Sequence, residues 1–337
     1  MYSVEFIENK LKILDQTKLP FVEEYINTDD VERISQAIEK LEVRGAPAIG
    51  ITAAYALALS IKNSTTEKIK NDFYSAVNRL RITRPTAVNL FFAIDEMKKY
   101  FEENFNKKNL YLLLIEKAKQ IHSNDINLCE RIAENGLSIF KKKSNVLTHC
   151  NTGFLATGGN GTALNVIKKG YENNLIEHVF VDETRPLFQG SRLTAWELEK
   201  LKIPFTIITD STSAFLMQQN KIDLVITGAD RITLNGDSAN KIGTYNLAVL
   251  CNYHKIPFYI AAPFTTIDFN SSDKSKIKIE ERNKKEIFKI GNHKITKEIY
   301  QAYAPAFDII PNELISGIIT DAKIFSKPYN FINVWNS

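Results

Sequence analysis

The chain has 337 residues, 44% hydrophobic and 24% charged, which is long enough to bury two separate cores and too apolar for disorder. Its 43 basic and 39 acidic side chains are interleaved, and a net charge of +4 leaves no strong electrostatic footprint for nucleic acid or an anionic membrane. Three cysteines, Cys129, Cys150 and Cys251, are too few and too scattered for a disulfide framework or a paired-cysteine metal site, and a reducing compartment fits them best. The opening MYSVEFIENK carries acids and no apolar signal segment. The longest apolar run, around Ile49 to Ile61, is too short and mixed to span a bilayer, so a cytoplasmic protein is expected.

Leu11 to Leu14 reads as a short strand, followed by the turn LDQTKLP closed by Pro20. Asp29, Asp30 and Glu32 then open an amphipathic helix through Ile34, Ile38 and Leu41, with acids in the first turn where the helix dipole favours them. Arg44-Gly45-Ala46-Pro47-Ala48-Ile49-Gly50 interrupts the helical pattern before an Ala-rich helix, Ile51 to Ile61. Arg84-Pro85-Thr86 leads into a further helix, TAVNLFFAIDEMKKYF, in a similar way. An arginine at such a break is either a lone surface charge, the common case, or an anion contact at a helix start. Two of them suggest one wall of an anion pocket. Asn109 to Lys141 reads as one or two more helices, with Lys141-Lys142-Lys143 as a solvated helix end.

After Asn145 the rhythm changes to short strands alternating with helices. Strands are expected at Val146 to His149, Val179 to Asp182, Phe205 to Thr209, Leu224 to Thr227 and Phe258 to Ala261, which makes the fold α/β with a doubly wound parallel sheet. Each strand runs out into polar or small residues (HCNTG, DETRP, TDSTS, TGADR, AAPFTT), where an open parallel sheet binds its ligands. Cys150 stands at the first of these ends. Gly158, Gly159 and Gly161 let backbone amides approach an anion closely, and Thr162 is expected to cap the helix through Val166 and Ile167. The glycine spacing matches neither a P-loop nor a dinucleotide fingerprint. The charged excursion Asp268 to Ile290 reads as a solvated loop.

The segments RGAPAIG, RPTAVNL, LTHCNTG, GTAL, DETRPLFQGSRLTAWEL, GADRITLNGDSANKIGTYNLAVL, PFYIAAP and PAFDIIPNELISGIIT closely resemble methylthioribose-1-phosphate isomerases. That family is similar in fold to the regulatory subunits of translation initiation factor 2B and to ribose-1,5-bisphosphate isomerases. The resemblance runs from LDQTKLP to the PAFD region and implies an N-terminal helical domain with a small sheet (1–125) and a Rossmann-like catalytic domain (126–337). It further implies a homodimer, no metal or nucleotide cofactor, and conversion of 5-methylthioribose 1-phosphate to the ketose in methionine salvage. Cys150 and Asp230 match the family's two catalytic positions. Arg44, Gly45, Ala46, Arg84, Gln189, Asn240 and Lys241 match its substrate contacts, joined by the loop Gly158, Gly159, Asn160, Gly161 and Thr162. Glu280-Glu281-Arg282 resembles the family's own loop at that place, with a role in closing the site or the dimer.

The chemistry accounts for these residue types. A sugar phosphorylated on its anomeric oxygen has no hemiacetal hydroxyl, so its ring opens only if an acid protonates the ring oxygen. A thiol in apolar surroundings supplies such a proton, because desolvation disfavours the thiolate. Hydrogen then moves from C2 to C1, through an enediolate or as a hydride shift, with a carboxylate taking the proton in either route. The chain has Asn160 where the family usually has an aromatic residue, Thr212-Ser213 for a Met-Ala type pair, and Ala304 for the Asn of Asn-Pro-Ala-Phe-Asp. These departures bear on the 5-substituent, and the fold and NKIGTY segment are shared with the initiation factor subunits, so three further readings stand. They are a 5-deoxyribose 1-phosphate isomerase, a ribose-1,5-bisphosphate isomerase and a non-enzymatic initiation factor 2B-like subunit.

Overall fold

The computed structural model describes residues 2–84, 88–291 and 293–332. The chain divides into two compact units, Met1–Leu128 with Gly153–Gly161, and Cys129–Thr152 with Thr162–Ser337.

The first unit opens with an antiparallel sheet in the order β1 (Val4–Ile7), β2 (Lys10–Leu14), β3 (Tyr25–Thr28). Asp30 caps α1 (Val31–Glu39) by accepting the Glu32 N–H at 2.9 Å, and Ile34, Ala37 and Ile38 turn inward. The helix stops short of Leu41, which lies in the left-handed region at φ 62°. α2 (Ala46–Leu59) starts earlier than the periodicity suggests, because its apparent breakers form its start. Gly45 is the N-cap at φ 91°, and Pro47 sits in the first turn, where its missing N–H costs nothing. From Ala48 to Leu59 every residue is buried, as in a helix enclosed on all sides.

α3 (Ile69–Arg81), α4 (Val88–Asn104) and α5 (Leu110–Gly136) complete the helices around this core, in which Phe73 and Phe101 stack at 3.8 Å. The Pro85-Thr86 start expected for α4 lies outside the described residues. Asn109 to Lys141 resolves into one long helix with a short 3-10 turn at its end.

The second unit alternates β4 (Ser144–Thr148), α6 (Ala163–Glu172), β5 (Ile176–Asp182), α7 (Ala195–Lys200), β6 (Phe205–Ile208), α8 (Thr212–Gln218) and β7 (Leu224–Thr227). A hairpin of β8 (Arg231–Thr233) and β9 (Ser238–Lys241) precedes α9 (Thr244–His254) and β10 (Phe258–Ala261). After β11 (Ile267–Asp268), α10 (Lys285–Phe288) and the pair β12 (Lys289–Ile290) and β13 (His293–Lys294) come β14 (Phe307–Ile310), β15 (Gly317–Ile319) and β16 (Ile324–Phe325). The large sheet has the order β16-β15-β10-β7-β4-β5-β6 and is parallel except at β16. It is the expected doubly wound sheet. Strands β4, β5 and β6 step outward one way and β7, β10 and β15 the other, so the order reverses between β4 and β7. Val146, Leu147, Val225 and Ile226 are fully buried there, as both faces of a parallel sheet require.

A second sheet, β11-β8-β9-β14, takes its two central strands from the GADRITLNGDSANKIG segment. Asp237 pins its turn, accepting from Asn235 Nδ2, the Lys274 N–H and both the N–H and Nδ2 of Asn312. Burial alone would raise this carboxyl, but those hydrogen bonds outweigh it and hold the pKa below the ordinary value. The ionised form therefore stabilises the fold above about pH 4, and that contribution is lost as pH falls through the depressed pKa. Asp237→Asn is expected to unfold at lower urea than wild type at pH 7, with the gap closing in acid. A gap independent of pH would contradict this.

The segment Asp268 to Ile290, expected as a solvated loop, is anchored by buried Ser271 and Phe288. Arg282 pairs with Glu280 at 3.0 Å and Glu286 at 2.8 Å, and its N–H donates to the Ala304 carbonyl.

Candidate active site

In the second unit, Cys150 lies just beyond β4 and Asp230 just beyond β7, on either side of the point where the strand order reverses. The two strands pair Val146 with Leu224 and Leu147 with Val225, and Thr148 Oγ1 donates to the Ile226 carbonyl at 2.9 Å. Their loops also touch, since a Cβ on Gly228 would stand 2.7 Å from Thr152 Cγ2. Asp230 is exposed and its N–H donates to Ala239 at 2.9 Å, whereas Cys150 is buried.

Cys150 has φ 64°, a left-handed conformation that costs a residue with a Cβ about 1–2 kcal/mol. Its N–H donates to Thr184 Oγ1 at 2.8 Å, and its carbonyl accepts from Thr194 Oγ1 at 2.6 Å. Beside it, His149 Nε2 lies 2.9 Å from the Ile242 carbonyl, which can only accept, so Nε2 carries hydrogen. Nδ1 faces Asp182 Oδ2 at 3.0 Å, and both side chains are 1% exposed, so one proton is shared between them. Burial pulls His149 toward its neutral form, yet the Asp182 carboxyl, with Asp210 behind it, outweighs this and raises the imidazole above its ordinary value. Burial in turn lifts Asp182 to about 6, against the pull of His149.

His149, Asp182 and Asp210 have ligand-type atoms within 4.8 Å of one another, the spacing of a cation site. Their lone pairs are largely committed. Asp210 accepts the Thr184 and Arg185 N–H groups at 2.8 Å each, and Asp182 Oδ2 is joined to His149. Within the cluster, Asp182 Oδ1 is the one ligand-type atom with no hydrogen-bond partner among the described residues. The cluster is a hydrogen-bonded support under the Cys150 turn.

The Gln189-Gly190 turn and the turn after β9 both border that support. Gln189 precedes Gly190, whose Cα lies so close to β5 that an added Cβ would meet the Asp182 carbonyl. Gln189 is 4% exposed, and its Oε1 has no hydrogen-bond partner among the described residues, a buried acceptor suited to a sugar hydroxyl. Asn240 donates to Thr244 Oγ1 at 3.0 Å, and Lys241 Nζ donates to the Ala306 carbonyl at 3.0 Å while lying 4.7 Å from the Phe307 ring centroid. Gly243, at the end of the same turn, packs on the His149 ring. Asp308 fixes the start of α9 by accepting the Gly243 and Tyr245 N–H groups. Thr162 corrects an expectation: its side chain makes no cap on α6, and Thr152 Oγ1 instead accepts the Leu164 N–H at 3.2 Å.

Within the first unit, Gly50 in α2 lies against Asn89 in α4, where a Cβ would be 2.7 Å from the Asn89 carbonyl, so the two helices begin side by side. Arg44 and Arg84, both half-buried, precede these two starts. Gly45 and Ala46 form the α2 entrance, and Gly45 must be glycine, since at φ 91° a Cβ would stand 2.3 Å from the Ala156 carbonyl. The loop Gly153–Gly161 is closed by a bridge between those two residues and rests on the start of α2 through Ala48 N–H to Ala156. The Gly158 N–H, expected to point at an anion, is committed to Asp125 at 2.6 Å, and its carbonyl accepts from His122 Nε2 at 3.0 Å. Gly159, Asn160 and Gly161 are the remaining amides of the expected anion loop.

Sequence reasoning missed His149, Asp182, Thr184, Thr194 and the buried Asn151–Glu197 pair, joined at 2.7 Å. All lie inside LTHCNTG and DETRPLFQGSRLTAWEL, but none carries a periodic signal.

Comparison with known proteins identifies the family and the fold. The model of the initiation factor 2 subunit family matches residues 42–326. A protein of Caldicellulosiruptor saccharolyticus named methylthioribose-1-phosphate isomerase is 48% identical over 332 residues, covering 98% of this chain and 97% of its own. One of the same name from Thermotoga petrophila is 45% identical over 327 residues, covering 97% and 95%. Among solved structures, 5-methylthioribose 1-phosphate isomerase from Pyrococcus horikoshii superposes with a TM-score of 0.94 at 38% identity, over 99% of this chain and 95% of that one. A protein from A. fulgidus described as translation initiation factor eIF-2B, subunit delta, superposes with a TM-score of 0.91 at 38% identity over 100% of both. The chain therefore belongs to the initiation factor 2 subunit family, and within it to the methylthioribose-1-phosphate isomerase family.

Proposed function

We propose that this protein converts 5-methylthioribose 1-phosphate to 5-methylthioribulose 1-phosphate, a step of methionine salvage, with Cys150 as acid and Asp230 as acid/base. The supporting observation is a buried thiol and an exposed carboxylate at the ends of adjacent strands β4 and β7, in a chain 48% identical over nearly its full length to an isomerase of that name. Cys150 gives its proton to the ring oxygen, and the bond from that oxygen to C1 breaks. Hydrogen passes from C2 to C1 while Asp230 takes the proton that the C2 centre releases, leaving a C2 ketone and a C1 methylene that carries the phosphate. A proton then returns from Asp230 to the thiolate through solvent. Arg44, Gly45, Ala46, Arg84, Gly159, Asn160, Gly161, Gln189, Asn240 and Lys241 are the proposed substrate contacts, with Gly158 and Thr162 as fixed parts of the loop. Holding the phosphate positions the reacting carbons, which is worth roughly 7–11 kcal/mol in favourable cases.

The same reading carries a cytoplasmic homodimer acting without metal. The test compares kcat/KM for 5-methylthioribose 1-phosphate, 5-deoxyribose 1-phosphate and ribose 1,5-bisphosphate without added metal. Turnover is expected for the first two, and strong preference for the bisphosphate overturns the substrate assignment. The A. fulgidus likeness supports a second reading, a non-enzymatic translation-factor subunit. Stoichiometric recovery of translation factors from lysate, with no sugar-phosphate binding in calorimetry, favours it.

A further inference from the structure

Cys150 is fixed through its backbone. In the left-handed region at φ 64°, its Cα–Cβ bond leaves the end of β4 in a direction that an extended residue there would not give. Both of its peptide groups are held by threonine hydroxyls, and both threonines are buried. The directions of these bonds are self-consistent. Thr184 Oγ1 donates its one hydrogen to the Asp182 carbonyl at 3.0 Å and is thereby left to accept the Cys150 N–H. Thr194 Oγ1 donates to the Cys150 carbonyl and accepts from Asn151 Nδ2 at 3.2 Å. Each hydroxyl also rests on a carboxylate-anchored group. The Thr184 N–H donates to Asp210, and Asn151 Nδ2 also reaches Glu197, which is fully buried.

We infer that Thr184 and Thr194 are positioning residues whose hydroxyls hold the Cys150 peptide groups and so aim its thiol. This rests on the reading of Cys150 as the acid. Valine has nearly the shape of threonine without the hydroxyl, so Thr184→Val leaves the Cys150 N–H without its partner, and Thr194→Val does the same to its carbonyl. The Cys150 backbone then relaxes from its left-handed conformation, and the thiol moves relative to a substrate held by other groups. A misplacement of that kind lowers the chemical step and leaves binding largely alone.

The test measures kcat and KM of the full-length protein with 5-methylthioribose 1-phosphate for Thr184→Val, Thr194→Val and the serine variant at each position, with circular dichroism to verify folding. Each valine variant is expected to lose roughly 10- to 100-fold in kcat with KM within about threefold of wild type, and each serine to restore most of the loss. Folded valine variants with wild-type kcat, a rise in KM alone, or serine variants as impaired as valine overturn the inference. Should a valine variant fail to fold, the serine variant still decides: a folded serine protein with a kcat loss above tenfold contradicts a role carried by the hydroxyl, and one near wild type supports it. Cys150→Ser run alongside separates the two layers. Wild-type turnover there means the acid is misassigned, whereas inactive Cys150→Ser with fully active valine variants removes the positioning role alone.

Discussion

Cys150→Ser is expected to lower kcat with 5-methylthioribose 1-phosphate by about 10²- to 10⁴-fold while leaving substrate affinity nearly unchanged, and Asp230→Asn to do the same. The two groups stand at the ends of adjacent strands where the sheet order reverses, the place at which an open parallel sheet presents its chemistry. Neither is among the proposed phosphate contacts, so binding survives their loss. A serine hydroxyl is a far weaker acid than a thiol, and an amide cannot take a proton, so each change removes one proton transfer and little else. Cys129→Ser and Cys251→Ser serve as controls, since both side chains are 0–1% exposed in the core and neither forms a disulfide. Steady-state kinetics with calorimetric binding decides the matter. Near wild-type turnover in Cys150→Ser means the thiol is packing filler and leaves Asp230 as the only assigned catalytic group.

Gly190→Ala is expected to be the most damaging single-methyl change near the site, costing about 3 kcal/mol or more. The added Cβ would stand 1.7 Å from the Asp182 carbonyl oxygen, 2.9 Å from its carbon and 3.0 Å from Thr184 Oγ1. The first obstacle is backbone at the end of β5, which no rotamer change removes. Relief requires moving the turn that carries Gln189 away from β5, so the fraction that folds should also lose turnover. Gly291→Ala is the contrast. Among the described residues its Cβ meets nothing within 4 Å, and its φ of 57° costs about 1–2 kcal/mol. Denaturant unfolding of the two variants against wild type is the measurement, and a Gly190→Ala midpoint equal to wild type contradicts the close packing.

The contrast between these two positions also marks what a sequence can reveal. The five strands from β4 to β10 in the large sheet are legible in the sequence, with the largest miss at β5, which starts at Ile176 rather than Val179, because fully buried parallel strands are short apolar runs bounded by polar ends. The start of α2 was misread because Gly45 and Pro47 are breakers inside a helix and helix-makers at its entrance. β1 and β3 are short and partly exposed, and β8 and β9 are short and polar in sequence, so none of the four has a periodic signature. Thr162 has the composition of a cap, yet Thr152 supplies the hydroxyl. The support of Cys150 was illegible for a different reason. Its partners Asp182, Thr184 and Thr194 are 33 to 44 residues away along the chain from the residues they hold, and they meet only through the register of β4 on β5 and the packing of the Gly190 turn on the end of β5. Close backbone approaches such as that of Gly190 belong to the same class.

Phosphorus-31 NMR of purified protein incubated with 5-methylthioribose 1-phosphate, without added metal, tests the isomerase assignment most directly. The anomeric phosphate resonance is expected to give way to that of a primary phosphate ester as the ketose forms, and Cys150→Ser is expected to leave it in place over the same interval. An unchanged anomeric resonance with folded wild-type protein contradicts the assignment.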